Sequence, residues 1–174
     1  MTDTENKALK AWTASFVRRW HTHPLLADTG DTNSGHQQRS TLLLLSFWPD
    51  SSREAIIDCI IHDQGEIDSG DIARPVKRRF PGVRGILKAI ERTSMEEQGF
   101  GVPDISDEEL ERREWVDLLD SFLWMLRHRP HLRHRPEWHD QLELLSSGAS
   151  KLGVAPEFLS IVLASLEYMV DSQD

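Results

Sequence analysis

The chain has only one cysteine, Cys59, among its 174 residues. A single thiol cannot form a disulfide within a monomer, which excludes a disulfide-stapled scaffold and is typical of a reducing compartment. Cys59 lies in an apolar run, where it is expected to be a small buried hydrophobe and not a nucleophile. A chain of this length buries roughly 70% of its unfolded surface, so one hydrophobic core is enough for stability.

Long hydrophobic runs are also missing. The most apolar stretch, LLLLSFW at residues 42–48, is far shorter than the roughly 20 apolar residues that a membrane-spanning helix needs. The first residues, MTDTENKALKAW, are polar and lack the apolar centre of a signal peptide. These features predict a cytoplasmic protein with no membrane partner.

Lys and Arg are outnumbered by acids, 20 against 29. The formal net charge of −9 argues against a general nucleic-acid-binding protein, because binding to a phosphate backbone needs an excess of Lys and Arg. The charge is segregated, with seven Lys or Arg and one acid in residues 72–92, followed by ten acids and two Arg in residues 93–120. An acidic protein with one local basic patch is predicted to bind a small anion rather than a nucleic acid.

Alternation of apolar and polar residues, the mark of a half-buried strand, is rare, and the dominant period is helical. A first amphipathic helix is predicted from apolar residues at three- and four-residue steps: Leu9, Trp12, Phe16 and Trp20. Further helices are predicted at about residues 34–48, 52–62, 83–98, 106–127, 137–151 and 157–170, with a short helical turn beginning at Pro75. The chain is therefore predicted to be a single all-α domain over residues 1–174, with its C-terminal helices at about residues 137–170.

Two capping boxes mark helix starts within this pattern. Ser51 with Glu54 precedes the third helix, and Ser106 with Glu109 opens the long helix. The third helix is apolar nearly all round, which predicts a central, buried position. Its isoleucines also suit a strand, but the length from the cap to His62 favours a helix.

Metal-binding and proton-transferring residues are concentrated where the third helix ends, in IIHDQGEIDSGDIARPVKRRF at residues 60–80. His62 and Asp63 can both reach one metal ion there, and Gly65 is expected to give the chain the freedom to end the helix. A divalent ion takes about four to six ligands, so further residues are needed. His36 and Asp117 are candidates, and this mixed set of nitrogen and oxygen ligands suits zinc, manganese, cobalt, iron or nickel better than calcium.

The order His36-x-x-Arg39, then His62-Asp63, then a distant Asp117 resembles the H…HD…D signature of the HD-domain metal-dependent phosphohydrolases. Within that superfamily, the chain is similar to bacterial 5′-deoxynucleotidases and to small phage dNTP triphosphohydrolases. RRWHTHP resembles their Arg-Trp motif, HDQGEIDSGDIARPVK resembles their His-Asp-x-x-Glu-(x)4-Asp…Pro-Val-Lys segment, and VDLLDSFLW resembles the motif with the last metal ligand. The likeness covers about residues 18–124.

One segment of the chain departs from the family pattern, and the identity of the last metal ligand is open between two acids. The acids that flank the first histidine in relatives are replaced here by TNSG, at residues 32–35. Asp117 is matched to the last metal ligand, because Leu119 and Phe122 then fit the family's apolar spacing. Asp120 lies one turn away and is the alternative ligand.

The resemblance implies an HD-domain helical bundle around a buried metal site, and a role for each matching residue. The implied ligands of a divalent transition metal (zinc, cobalt or manganese) are His36, His62, Asp63 and Asp117. Magnesium is a further candidate on the substrate phosphates. Glu66 is implied to orient or deprotonate the attacking water, and Asp71 to be a second proton-transfer group or to hold the leaving oxygen. The implied substrate-binding residues are Arg19, Trp20, Arg39, Pro75 and Lys77.

Two of these residues, and the basic residues that follow Lys77, each have two alternative roles. Arg39 is either a phosphate ligand or a partner of the metal-binding carboxylates. Trp20 either packs on the sugar or base of the substrate, or belongs to the core. The basic residues that follow Lys77 either hold a polyphosphate tail or form a solvated face: Arg78, Arg79, Arg84 and Lys88.

The function implied by the resemblance is cleavage of the 5′ phosphoester of a deoxyribonucleotide. The leading expectation is a dNTP triphosphohydrolase of the dATP type, in the host cytoplasm if the chain is of phage origin. The alternatives are a dNMP 5′-nucleotidase, another HD phosphohydrolase acting on cyclic nucleotides or alarmones, and a catalytically inactive nucleotide-binding module with the same fold. A broad apolar face on the last two helices further predicts a homo-oligomer.

Overall fold

The computed structural model describes residues 1–72 and 74–171, except for the side chains of residues 74, 75, 78 and 168–171. Within these residues the chain is helical, apart from loops and one isolated antiparallel bridge between Arg18 and Thr32. This confirms the predicted all-α class. The helices are α1 (Asp3–Ala14), α2 (Asn33–Phe47), α3 (Arg53–Ile61), α4 (Glu66–Ser69), α5 (Arg74–Arg79), α6 (Pro81–Glu97), α7 (Asp107–His128), α8 (Pro136–Lys151) and α9 (Ala155–Asp171), with a 3₁₀ turn at Pro130–His134.

Helix α7 is the centre of the bundle. It packs against α2, α3, α8 and α9, and it carries buried side chains along its whole apolar face. Trp115 connects two of these contacts, because its ring packs against Phe158 of α9 and its indole nitrogen donates to Leu145 O of α8 at 2.9 Å. Gly148 permits this approach, since a Cβ there would lie 2.5 Å from Trp115 Cδ1. The most deeply buried hydrophobic residues include Leu44, Cys59, Val116, Leu119, Met125, Leu126 and Leu145.

The first helix is shorter than its apolar spacing predicts. Helix α1 ends at Ala14, and the chain then turns so that Arg18 pairs with Thr32. The extension to Trp20 was wrong, because the backbone of Trp20 adopts a left-handed conformation with φ of 63°. Leu9, Trp12 and Phe16 are each half exposed or more, so the apolar face of α1 is not part of the core.

The cap of α3 is displaced by one residue from its predicted position. Ser52 is the N-cap and accepts from Ala55 N, while the Ser51 hydroxyl donates to Trp48 O at 2.7 Å. The helix itself is confirmed, but it is not buried all round, because Ile60 is 46% exposed. The acid that completes the cap comes from α7, since Ser52 N donates to Glu109 Oε1 at 3.2 Å.

Glu109 therefore serves the N-termini of two helices. Besides Ser52, it accepts from the backbone N–H of Ser106, the N-cap of its own helix, as the second capping box predicts. Hydrogen bonds from Ser52 and Ser106 lower the pKa of Glu109 to about 2. Because the folded-state pKa lies below that of the unfolded chain, this stabilisation is present above about pH 4.5 and is lost as the pH falls towards 2.

Replacement of Glu109 by Gln is expected to lower the melting temperature at pH 7, with a loss of about 1 kcal/mol for weakened capping. Thermal unfolding at pH 7 and at pH 3 measures the effect, which is expected to shrink at the lower pH. Glu114→Gln on an exposed position of the same helix is the matched control. A pH-independent difference between Glu109→Gln and the unsubstituted chain would contradict the charge-assisted cap.

Gly65 has a different role from the one expected from sequence. Its backbone is in the ordinary right-handed helical region, with φ of −66° and ψ of −18°, so no special flexibility is required. A Cβ at this position would lie 2.3 Å from Glu91 O, because the backbone of α6 passes directly over the turn. Gly65 is thus required for the close contact between this turn and α6.

Replacement of Gly65 by Ala is expected to push α6 away and to lower the free energy of unfolding by about 1–3 kcal/mol, as overpacking does. Chemical denaturation measures the change. Gly82→Ala is the control, since a Cβ there meets no atom within 4 Å and Ala is the better helix former. Equal stabilities for the two variants would show that α6 is free to shift.

No helix in the described part of the chain is both long enough and apolar enough to span a membrane.

Candidate metal centre and its cavity

The predicted metal ligands meet where α2, α3 and α7 come together. His36 is fully buried on α2, and its Nε2 lies 3.1 Å from Asp117 Oδ1 of α7 and 3.6 Å from Asp63 Oδ2. His62 Nε2 lies 3.4 Å from the same Asp63 oxygen. Ligand atoms of His36, His62 and Asp117 all lie within 4.8 Å of one another. Ligands that share one ion at about 2 Å lie roughly 3–3.5 Å apart, so these four side chains are close to that spacing.

Each histidine is oriented by a hydrogen bond at its Nδ1. His36 Nδ1 bonds to Asp120 Oδ2 at 2.7 Å, and His62 Nδ1 bonds to Cys59 O at 2.9 Å. An acceptor at Nδ1 places the proton there and leaves a lone pair on Nε2 in the neutral ring. Both Nε2 atoms are buried beside carboxylates, with His36 Nε2 closest to Asp117 Oδ1 and His62 Nε2 closest to Asp63 Oδ2. Two imidazole nitrogens that converge with carboxylates, each oriented by a hydrogen bond at the other ring nitrogen, could hold a divalent metal ion.

The geometry distinguishes the two candidate acids of α7. Asp117 lies on the Nε2 side of His36, together with Asp63. Asp120 lies on the opposite nitrogen and also accepts from Arg39 Nε at 2.7 Å. Asp117 is therefore the better match to a metal ligand, and Asp120 to the residue that orients His36.

Protons at the centre are distributed by burial and by these acids. Burial and the charge of Arg19 lower the pKa of His36, but hydrogen bonds to Asp117 and Asp120 outweigh them and raise it to about 9. Burial dominates at His62 and lowers its pKa, which keeps that ring neutral. The raised pKa favours the protonated form of the His36 ring between the Asp117 and Asp120 carboxylates.

Asp31 and Asn33 are site residues that the sequence did not indicate. Asp31 is buried beside Arg39, whose Nη2 donates to it at 2.9 Å, and it also accepts from the indole nitrogen of Trp20 at 3.3 Å. Asn33 is fully buried and donates from Nδ2 to Glu66 Oε2 at 3.1 Å. Asn33 belongs to TNSG, the segment that departs from the family pattern. No local signal could find the Asn33 contact, because Glu66 is 33 residues away in sequence. The partners of Asp31 are nearer, at 8 and 11 residues, but the loop that joins them has no regular spacing to predict the contact.

Arg39 is not brought to the cavity that contains Glu66. Its guanidinium joins Asp31 to Asp120 and lies 4.3 Å from the centre of the Trp124 ring. The side chain lines a separate apolar groove between α2, α7 and α9. Of the two expected roles, this position fits a partner of the buried carboxylates and not a phosphate ligand.

A cavity of about 270 Å³ adjoins the candidate metal centre. It is lined by Arg19, Trp20, His23, Asp63, Glu66, Asp71, Ile72, Lys77, Asp117, Leu118, Ser121, Glu137, Trp138, Asp140, Gln141 and Leu144. The lining thus includes most of the predicted catalytic and substrate-binding residues, together with one face of α8 that the sequence did not connect with them. Pro75 lies in α5, and its side chain is outside the described residues.

The cavity carries an excess of negative charge. Its acidic side chains are Asp63, Glu66, Asp71, Asp117, Glu137 and Asp140, and the Lys and Arg side chains in its lining are Arg19 and Lys77. The acids outnumber these cations even when Glu66 holds its proton. Opposite charges in a partly enclosed site interact more strongly than in water, and like charges repel each other more strongly. An anionic ligand would therefore need an additional cation in this cavity.

Glu66 is a deeply buried acid of the cavity. It is 5% exposed, and its Oε1 lies 4.0 Å from Lys77 Nζ. Burial, followed by the charges of Asp63 and Asp71, raises the pKa of Glu66 to about 9. A carboxyl group with a raised pKa is suited to proton transfer near neutral pH.

Trp20 is positioned by Asp71, whose Oδ2 accepts from Trp20 N at 2.8 Å. The left-handed backbone of Trp20 costs roughly 1–2 kcal/mol, and such conformations are concentrated at functional sites. Arg19, the preceding residue, is 9% exposed and donates from Nη1 to Asp63 Oδ2 at 2.8 Å. The RRW motif therefore places one cation and one aromatic ring in the lining of the cavity.

No protein-family model, curated protein or solved structure matches this chain. Its function must be inferred from the residues and geometry of the site.

Proposed function

We propose that this protein is a metal-dependent phosphohydrolase of the HD-domain type, which cleaves the 5′ phosphoester of deoxyribonucleotides. The observation that carries the proposal is the pair of buried histidines, whose Nδ1 atoms are hydrogen-bonded and whose Nε2 atoms converge on Asp63 and Asp117. His36, His62, Asp63 and Asp117 would hold the ion. The nitrogen and oxygen donors suit zinc, cobalt or manganese.

The proposed ion, when bound, supplies charge neutralisation and a water molecule of lowered pKa. Glu66 is the candidate proton-transfer group for the attacking water, because Asn33 holds one oxygen of its carboxyl group and leaves the other towards Lys77. The positive charge of a bound ion would lower the pKa of Glu66, so that the carboxylate could accept the proton. Asp71 holds the Trp20 backbone with Oδ2, and its carboxylate is available as the second proton-transfer group. Arg19 and Lys77 line the cavity and would partly neutralise the substrate phosphate.

The length of the phosphate chain has two candidate answers. A dNTP of the dATP type, giving deoxynucleoside and triphosphate, is the leading substrate because of the resemblance to small phage triphosphohydrolases. One observation favours a dNMP instead. Among the basic residues from Lys77 onward, Arg79, Arg84 and Lys88 are exposed and do not line the cavity, whereas Lys77 does.

Product analysis by chromatography tests the proposal. The purified chain is incubated with cobalt, with manganese, or with zinc plus magnesium, and with matched panels of dNTPs, dNMPs and ribonucleotides. Deoxynucleoside plus intact triphosphate from dNTPs supports the leading reaction, and deoxynucleoside plus orthophosphate from dNMPs alone supports the 5′-nucleotidase. Absence of turnover with bound metal would contradict both reactions and favour an inactive nucleotide-binding module with this fold.

We also propose that the chain self-associates through exposed apolar residues. Leu159 and Leu163 on α9 are both more than half exposed, as the predicted interface on the last helices requires. Leu9, Trp12 and Phe16 near α1 form a second exposed apolar surface. Sedimentation of the purified chain over a range of concentrations measures the assembly.

A further inference from the structure

One face of α8 lines the same cavity as the candidate metal centre. Its members follow the i, i+3, i+4, i+7 spacing of a helix face, and they are called here the α8 wall: Glu137, Asp140, Gln141 and Leu144. Neither metal binding nor the proposed proton transfers use these residues. The polar side chains of the α8 wall are therefore available to contact a part of the ligand that does not react.

The polar groups of the α8 wall are hydrogen-bond acceptors. Gln141 donates from Nε2 to Leu118 O at 3.0 Å. This bond fixes the orientation of the amide group, whose Oε1 atom is a hydrogen-bond acceptor. Asp140 has no hydrogen bond or ion pair with any described residue, and the nearest cation to Glu137 is Arg135, at 3.9 Å. A ligand that contacts this wall must bring hydrogen-bond donors or positive charge.

Aromatic rings lie beside the α8 wall. The ring of Trp138 lies 6.2 Å from that of Trp20 and 6.4 Å from that of His23, and all three residues line the cavity. The indole N–H of Trp138 is buried and has no acceptor in the described part of the chain, although Trp138 is only 4% exposed. An unpaired buried donor in a cavity wall costs free energy unless a ligand accepts from it.

His23 adds a second donor to this cluster. Its Nδ1 accepts from Leu25 N at 3.2 Å, so the neutral ring carries its proton on Nε2. Burial lowers the pKa of His23 and favours that neutral form. Aromatic rings with N–H donors, next to a row of acceptors, suit a planar heterocycle that has both donors and acceptors on its edge.

We propose that the α8 wall and the rings of Trp20, His23 and Trp138 form the subsite for the nucleobase, and that Glu137, Asp140 and Gln141 select bases with an exocyclic amino group. The nucleotide class rests on the proposed function, whereas the selection follows from the acceptors on α8. A base that lacks the amino group leaves these acceptors without a donor when it excludes water from them. Glu137 and Asp140 are exposed in the free protein, so the discrimination is expected to be about tenfold or more, well short of that of a fully buried site.

Calorimetric titration with nucleosides tests the subsite without any requirement for hydrolysis. The cobalt-treated full chain is titrated with 2′-deoxyadenosine and with purine 2′-deoxyriboside, which lacks only the amino group. The corresponding pyrimidine pair is 2′-deoxycytidine and pyrimidin-2-one 2′-deoxyriboside. The amino-bearing member of at least one pair is expected to bind at least tenfold more tightly.

Substitutions on α8 assign the preference to named residues. The double variant Glu137→Gln, Asp140→Asn is expected to reduce the preference to within about threefold, because each new amide donates as well as accepts. Glu143→Gln, on an exposed position of the same helix outside the cavity lining, is the matched control and is expected to keep the preference. Circular dichroism of each variant checks that α8 still forms.

The outcomes separate this inference from the proposed function. Equal binding of both members of each pair, no binding of any nucleoside, or an unchanged preference in the double variant would overturn the base subsite. A third outcome is that the unsubstituted chain binds magnesium but shows no nucleoside preference, and that the double variant loses the magnesium. The α8 wall would then be a cation site, and the base subsite would also be overturned. A clear nucleoside preference without hydrolysis of any nucleotide would retain the subsite and reject the hydrolase.

Discussion

Replacement of Glu66 by Gln is expected to reduce hydrolysis at least about 100-fold, because proton transfer by a positioned side chain contributes roughly 10²–10⁴-fold to a rate. Gln has nearly the same shape and keeps an oxygen that accepts from Asn33 Nδ2, so the buried contact survives. What is lost is the capacity of the carboxyl group to release and take up a proton. Steady-state turnover of the preferred nucleotide measures the effect.

Metal content distinguishes lost catalysis from a lost site in this experiment. The Glu66→Gln variant is expected to retain the same bound metal as the unsubstituted chain, because Glu66 is not among the four proposed ligands. Asp68→Asn is the matched control, since Asp68 lies on the same short helix but pairs with Lys10 and Ser94 outside the cavity. Unchanged turnover in Glu66→Gln would remove Glu66 from the mechanism, and loss of metal would make it a ligand.

The second large effect is expected at the two acids of α7. Asp117→Ala should abolish metal binding, because it removes the carboxylate that faces His36 Nε2. Asp120→Asn should weaken metal binding only about 10–100-fold, as loss of a residue that orients a metal-bound histidine typically does. The two substitutions therefore separate the ligand from the group behind it.

Thermal unfolding during a cobalt titration measures metal binding without reference to activity. An ion at 100 times its dissociation constant stabilises the folded state by about 2.7 kcal/mol, which raises the melting temperature of a chain this size by roughly 5–10 °C. Asp117→Ala should show no such rise, and Asp120→Asn should show it at higher cobalt concentrations. The reverse pattern would exchange the roles of the two acids, and no rise in the unsubstituted chain would reject the metal centre.

The excess of acidic side chains in the cavity affects the binding of the substrate phosphate and the binding of the base differently. Because its Lys and Arg side chains are outnumbered by acids, a phosphate enters favourably only after an ion has added positive charge. Substrate binding is therefore expected to depend on metal loading more strongly than base binding does. The acceptors of the α8 wall carry the opposite preference, since they attract donors and not phosphate oxygens.

Much of the secondary structure could be predicted because its causes are local. The all-α class, the helix at residues 53–61 and the capping box of Ser106 with Glu109 follow from spacing and cap chemistry within a few residues. Because His62 and Asp63 are adjacent in sequence, their side chains could also be expected to lie at the same site. The end of α1 could not be predicted, because Trp20 continues the helical spacing while its backbone is held elsewhere by Asp71.

The sequence by itself determined most of the helices and the chemical types of the proposed ligands. Only the tertiary structure decided that Asp117 and not Asp120 faces His36 Nε2, that Arg39 lies behind the centre, and that α8 closes the cavity. Acids one turn apart lie on nearly the same face of a helix, so spacing cannot separate them. Which of the two acids faces His36 Nε2 depends on how α2 packs against α7. His36 and Asp120 are 84 residues apart in sequence, and packing between such distant segments has no local signal.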